Sequence, residues 1–261
     1  MTDVLGVCTA WGAGRARVRT ESGAEVEIAL GDIVSGKPVP PRPSMRDRVP
    51  AAEAQTRALA LWPDLALVPL GAWTLRSSES SAARRANSVL AMTAPGVPDA
   101  LGAVVAHYRA LGKRPIAAVL PGTEEESLFL AAGWVPESAD GPTLFQVASV
   151  AHTRRIVRSV PGVDVTIEED GDLVSARVGD RAWGTAAYSR DWVGLRSVEV
   201  TPDRQRQGLG LAVVAALLGW GAERGATTAY LQVLGDNGPA LALYARLGFR
   251  THHAYRYLAM S

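Results

Sequence analysis

Residues 196–223 read RSVEVTPDRQRQGLGLAVVAALLGWGAE, and this stretch decides the fold. A short apolar strand carries Val198 and Val200, and Pro202 stops it. A polar turn follows, Gln205-Arg206-Gln207-Gly208-Leu209-Gly210, and then a helix with an apolar stripe at Leu209, Val213, Leu217 and Trp220. Strand, glycine turn and helix together make an anion site. Glycines let successive N–H groups point inward, and the helix start adds partial positive charge. The spacing matches neither GxxxxGK with a following Ser or Thr nor GxGxxG, which argues against a nucleoside-triphosphate loop and a dinucleotide fold.

The turn resembles the pyrophosphate loop of the GCN5-related N-acetyltransferases: Gln or Arg, two residues, Gly, one residue, then Gly or Ala. Its surroundings fit as well. The strand with Val200-Thr201-Pro202 precedes it, and Asn237, Ala240, Tyr244 and Leu247-Gly248-Phe249 follow at the family's usual distance. The resemblance covers roughly the last hundred residues and implies acetyl-CoA as cosubstrate.

Composition narrows the alternatives. The 261 residues allow a sizeable core and more than one domain. With 27 basic against 26 acidic groups the formal charge is +1, so no broad nucleic-acid or membrane field is expected. One cysteine, Cys8, excludes an internal disulfide and suits a reducing cytoplasm; a small buried hydrophobe is its expected role. The N-terminus shows no secretory pattern and no apolar run is long enough to span a bilayer, so a cytoplasmic location is expected.

Residues 1–36 alternate short β-type runs with turns, with Arg17 and Arg19, then Glu25 and Glu27, between apolar neighbours. Too short for a large core, they predict a small, partial Src-homology-3-like β-barrel that leans on the rest of the chain and gives structural support or an oligomer contact, leaving a homodimer open. Residues 37–50, with Lys37-Pro38-Val39-Pro40-Pro41-Arg42-Pro43, read as a Pro-rich extended linker. Within 51–150 the pattern predicts a helix over 52–62, strands at 65–68, 73–77 and 88–92, a helix over 98–111, a strand at 116–120, and a helix from 123 to Gly133. In 151–261 it predicts strands at 163–168, 173–178 and 181–188, the central strand, loop and helix, a strand over 228–234, a helix over 239–247, and closing strands at 249–251 and 255–259.

The two halves carry a faint repeat. Leu128–Trp134 aligns with Leu243–Phe249, Gly112 with Gly225, and Asn87-Ser88-Val89 with Arg196-Ser197-Val198. The interval from Val89 to Gly112 is shorter than that from Val198 to Gly225, and Thr93–Pro98 stands where the second half has its glycine loop. The expected fold is therefore mixed α/β: an acetyltransferase fold of two tandem lobes, with residues 51–150 degenerate and residues 151–261 binding acetyl-CoA. Phe129 occupies the place of Tyr244 in the first copy.

The resemblance also assigns roles. The backbone of Val198, Glu199 and Val200 would pair with the pantetheine arm, and the amides of Gln205, Arg206, Gln207, Gly208, Leu209 and Gly210 would hold the pyrophosphate. Arg206 reads equally as a phosphate contact and as a solvated surface charge. Asn237 resembles the residue that touches the cofactor arm, a reading set ahead of a simple turn asparagine. Tyr244 resembles the general acid that protonates the departing thiolate, set ahead of a packing role. Some relatives place a glutamate on the strand after the loop's helix, but Gln232 stands there and cannot accept a proton. Glu199 is the nearest carboxylate by sequence. It reads equally as the base and as a surface charge opposite Val198 and Val200.

His252, His253 and Tyr255 lie close to where acceptors enter this fold, and with no further ligand they do not make a metal site. Arg84-Arg85 reads first as a solvated turn. If the lobes face one another it would line the acceptor cleft and favour a carboxylate-bearing amine. The activity implied is direct transfer of an acetyl group from acetyl-CoA to a primary amine of unidentified acceptor. The alternative is a catalytically weak, CoA-binding regulatory or scaffold protein.

Overall fold

The computed structural model describes residues 3–20, 23–36, 44–157 and 162–260. The chain forms two compact units, Met1–Pro43 and Ser44–Ser261. In the first, β1 (Gly6–Gly12), β2 (Arg15–Thr20) and β3 (Glu25–Ala29) make an antiparallel sheet in that order. Strands β1 and β3 do not pair, so among the described residues the expected barrel is an open three-stranded meander. The physical reason is the lack of a second layer. Ala16 is the unit's one buried hydrophobic residue among those described, and Arg–Glu pairs such as Arg19–Glu25 at 3.2 Å line the strands. Cys8, expected to be buried, is exposed for the same reason. The first half of the predicted linker, residues 37–43, lies outside the described residues. Its last part, Met45–Arg48, is a 3-10 turn of the second unit.

The second unit is built on one long sheet. Helix α1 (Ala51–Arg57) runs into a 3-10 turn, Ala58–Leu61. Then come β4 (Ala66–Leu70), β5 (Trp73–Ser77), β6 (Ser88–Ala91), α2 (Ala100–Ala110), β7 (Ile116–Val119), α3 (Glu124–Ala131) and the short β8 (Val135–Pro136). They are followed by β9 (Thr143–Ser149), α4 (Val150–Ile156), β10 (Thr166–Asp170), β11 (Leu173–Val178), β12 (Ala182–Ser189) and β13 (Trp192–Val200). Last come α5 (Leu209–Glu223), β14 (Thr228–Leu234), α6 (Gly238–Arg246) and β15 (Arg250–Ala259).

The strand order is β10-β11-β12-β13-β14-β9-β15-β7-β6-β5-β4, with β8 on β15. Two halves of this sheet share one topology. In each, an antiparallel hairpin leads to a strand, a crossover helix and a parallel partner: β5-β6-α2-β7 and β12-β13-α5-β14. Parallel neighbours require such a crossover. Gly112 and Gly225 close the two crossover helices with φ of 66° and 86°, a left-handed conformation that glycine adopts without steric cost.

The halves also exchange strands. Strand β9, which follows the first half, pairs along its whole length with β14, while the end of β15 pairs with β7. This explains a correction: the two closing strands expected after Phe249 are one strand. Its first part, Arg250–Tyr255, pairs with β9, its last part, Arg256–Ala259, pairs with β7, and a bulge between Thr251 and His253 adjusts the register.

The faces of the sheet differ. Helices α2 and α3 cover Val89, Ala91, Ala117 and Val119, and α4 to α6 cover Val193, Leu195, Ala229 and Leu231. On the opposite face α1 and its 3-10 turn pack Ala54, Ala58 and Leu61 against Phe145, Val147, Trp192 and Tyr230. Alternation along each strand therefore sorts side chains between a helix-rich face and the face beneath α1.

Candidate active site

Strands β13 and β14 pair only over Trp192–Leu195 and Thr228–Leu231. Beyond that point they separate. Gln232–Leu234 stays with β9, while β13 stays with β12 through a bulge in which Ser197 takes φ of 51°. A left-handed non-glycine residue inside a strand is strained, and here it turns the strand away from its neighbour. The result is a V-shaped opening. One wall is the backbone edge of Arg196–Val200, which has no strand partner on that side among the described residues. Val198, Glu199 and Val200 lie on it, where the sequence placed the pantetheine contacts.

The glycine loop sits at the end of β13. Pro202–Arg204 is a single 3-10 turn, then Arg206 takes φ of 63° and Gly208 φ of 81° before α5 begins. No side chain caps α5. Its first backbone bond runs from the Ala212 N–H to the Gly208 carbonyl at 3.0 Å, and the amides from Gln205 to Leu211 find no backbone acceptor among the described residues. Gln205, Arg206 and Gln207 are exposed. Such a row of free donors at a helix N-terminus fits a diphosphate. Gly210 packs close beneath: a Cβ there would lie 3.2 Å from Val200 Cγ2.

Tyr244, on α6, packs with Leu241 and Leu243 on the core and meets Phe249 edge-on at 5.6 Å. Its hydroxyl has no hydrogen-bond partner among the described residues, and burial raises its pKa above 10.0. A protonated phenol with a free donor is what a general acid requires. Asn237 behaves as a turn residue in part: its side-chain oxygen accepts from Ala240 N–H at 3.2 Å and caps α6, which leaves its NH2 group free.

Glu199 is exposed and sits opposite Trp183. It alternates with Val198 and Val200, which pack toward α5, so its side chain is on the face beneath α1. Gln232, between core residues Leu231 and Val233, is on that face too, and its Oε1 accepts from the Tyr255 hydroxyl. Both readings of Glu199 thus describe one position: a solvent-exposed carboxylate, on the face that carries the polar groups of the opening. Arg196 is there as well, with its guanidinium 4.2 Å from the Trp62 ring.

The sequence reading did not place Arg76 or Gln55 in this layer. Gln55 Nε2 lies 3.0 Å from His253 Nε2. Burial first, and the neighbouring His252 second, hold His253 down at about 3, so it is neutral at pH 7 and is a poor acceptor for an amine proton. The alternation His253-Ala254-Tyr255-Arg256-Tyr257 carried the signal for a polar stripe on one strand face.

The family model described as "Probable histone acetyltransferase Rv0428c C-terminal" matches residues 52–258. This chain belongs to that family. The acetyltransferase chain is 28% identical over 258 residues to "Probable histone acetyltransferase Rv0428c" of Mycobacterium tuberculosis, covering 93% of this chain and 84% of that one. A shorter match, 44% identical over 59 residues, is to the [Ribosomal protein bS18]-alanine N-acetyltransferase of Escherichia coli; it covers 23% of this chain and 40% of that protein. Among solved structures, a GCN5-related N-acetyltransferase from Kribbella flavida aligns with a TM-score of 0.63 at 18% identity, over 80% of this chain and 95% of that one. A tandem protein of the same family from the clavulanic acid biosynthesis pathway aligns at 0.51 and 14% identity, over 76% and 83%. These two likenesses establish the acetyltransferase fold. Among the described residues no helix is long and apolar enough to cross a membrane.

Proposed function

We propose that this acetyltransferase moves the acetyl group of acetyl-CoA directly to a primary amine in a ternary complex. The observation that carries the reading is the opening between β13 and β14, with an unpaired strand edge on one wall and the free amides of Gln205 to Leu211 at its end. Acetyl-CoA supplies the thioester. The amides of the glycine loop hold its diphosphate, the edge of Val198, Glu199 and Val200 pairs with its amide-bearing arm, and the Asn237 NH2 group is free to add a contact. Residues 51–150 act as the degenerate lobe and support the site.

As the amine nitrogen bonds to the carbonyl carbon, the carbon–sulfur bond breaks and the sulfur leaves with its electron pair. Tyr244 donates its proton to that sulfur. An amine of pKa near ~10 arrives protonated at pH 7, and Glu199, directly or through water, receives the proton. Gln232 has no basic site to offer, and its oxygen is engaged by Tyr255.

Release of CoA thiol, followed across a panel of primary amines, tests the function. Amine-dependent release is expected. Acetyl-CoA binding with no release for any amine would favour a CoA-binding regulator, a reading that Gln232 supports by standing where a basic carboxylate would serve. The proposed setting is the cytoplasm, in line with a single cysteine.

A further inference from the structure

Six arginines of the second unit pair with carboxylates among the described residues. Arg57 pairs with Glu53 and Asp191, Arg84 with Glu137 and Asp140, and Arg256 with Glu126. Arg76 and Arg85 are among those that do not, and both lie near Tyr257. Arg76, on β5, is 4% exposed; its Nε donates to Ser88 O at 3.0 Å and its Nη2 to Ser88 Oγ at 2.6 Å. Arg85, in the turn before β6, is half-buried and its Nε donates to the Tyr255 hydroxyl at 3.4 Å. Neither finds a carboxylate within 4.0 Å among the described residues, and each lies close enough to Tyr257 to act on its charge. Two guanidiniums sunk together in one polar layer without counter-charge are a costly arrangement, and guanidiniums stay charged. Nearby phenols do not neutralise them, because burial drives Tyr257 well above its ordinary value and keeps it protonated.

The pair connects to the opening. Arg85 reaches Tyr255, and Tyr255 donates to Gln232, the first residue of β14 past the positions paired with β13. Tyr257 donates to Tyr255 at 3.4 Å and forms part of the wall of a cavity of about 480 Å³, lined also by Arg84, Asp140, Thr143 and Arg256. We infer that Arg76 and Arg85 form the subsite for a carboxylate on the acceptor, so that the substrate class is an amine carrying a free carboxylate, such as an amino acid or short peptide. The inference rests on the acetyl transfer proposed above. The planar fork of an arginine matches two carboxylate oxygens, and the first lobe thereby supplies specificity to the second.

The test uses the full chain and pairs of dipeptides that differ only in a free or amidated C-terminus, with binding read by thermal shift and by calorimetry, and turnover by thiol release. Free acids are expected to bind and react better than their amides, and Arg85→Gln is expected to lower kcat/KM for the free acids by about 10- to 100-fold while leaving the amides unchanged. Arg85→Lys should restore part of the preference. Because Arg76 is buried, Arg85 carries the main test, and unchanged acetyl-CoA affinity in Arg85→Gln shows that the variant is folded. Equal response to free acid and amide, or binding of neither, overturns the inference while leaving acetyl transfer standing if other amines react. A response to phosphoethanolamine alone would assign the pair to phosphate and overturn it also. Failure to bind acetyl-CoA at all would overturn the function, whereas the dipeptide binding arm judges the subsite independently.

Discussion

The two halves of the long sheet have the same topology and opposite interiors. In the second, β13 bulges at Ser197 and parts from β14, which leaves a cleft. In the first, β6 pairs with β7 over Val89–Ala91 and Ala117–Val119, and the loop after β6 folds back onto the turn between β4 and β5. Pro95 O accepts the Ala72 N–H at 2.8 Å, and Thr93 O accepts the Trp73 indole N–H at 2.6 Å. The helix starts contrast in the same way. Helix α2 is capped by the Asp99 carboxylate, which accepts from Gly102 N–H at 3.2 Å, whereas α5 begins at Gly208 with no cap. One lobe answers its helix dipole with its own carboxylate, and the other leaves its first amides without an acceptor among the described residues. The position of Tyr244 is taken in the first lobe by Phe129, fully buried between Trp73 at 5.3 Å and Trp134 at 4.8 Å. The first lobe thus differs from the second in its shorter connection, its acidic cap and a buried phenylalanine where the repeat aligns a tyrosine.

Variants that trade features between the lobes sharpen this contrast. Tyr244→Phe, which copies the first lobe, is expected to lower kcat by about 1,000-fold with acetyl-CoA affinity unchanged, as measured by thiol release and calorimetry. Since burial raises the Tyr244 pKa above that of an ordinary phenol, the acid is protonated at neutral pH and any alkaline fall that it causes is centred above the ordinary phenol value of about 10. A limb below pH 10 that vanishes in Tyr244→Phe would contradict the assignment. Trp73→Ala empties the closed lobe and is expected to cost about 3–4 kcal/mol in urea denaturation. Phe129→Tyr, the reverse trade, places a hydroxyl in a packed aromatic cage. It is expected to cost about 2 kcal/mol without adding activity. Asp99→Ala removes a cap and should cost about 1 kcal/mol, with acetyl-CoA binding unaffected.

Much of the second lobe was legible because its signals are local. The glycine turn set the start of α5 at Leu209, and the strand over Thr228–Leu234 follows directly from its apolar run. The first lobe could be read as a copy because Gly112 and Trp134 recur at matched places, and its loss of the loop followed from a shorter interval. Strand β9 escaped notice since it pairs with β14 and β15, far along the chain, and no local pattern announces such partners. Splitting β15 in two had the same origin: its bulge looks like a break until both partners are known. The meander of β1 to β3 has barrel-like alternation, but alternation alone does not close a barrel without a second buried layer. In the candidate site, the loop and Tyr244 could be proposed from the family resemblance, whereas the contact of Arg85 with Tyr255 depends on the strand exchange.

The central claim is that only the second lobe is open to acetyl-CoA, and calorimetric titration of wild type and Gly208→Glu tests it most directly. The glutamate would impose a side chain on a left-handed position and a carboxylate on the free amides. The expected result is one acetyl-CoA per wild-type chain and none in Gly208→Glu. Binding retained in Gly208→Glu, or two molecules per wild-type chain, would contradict it.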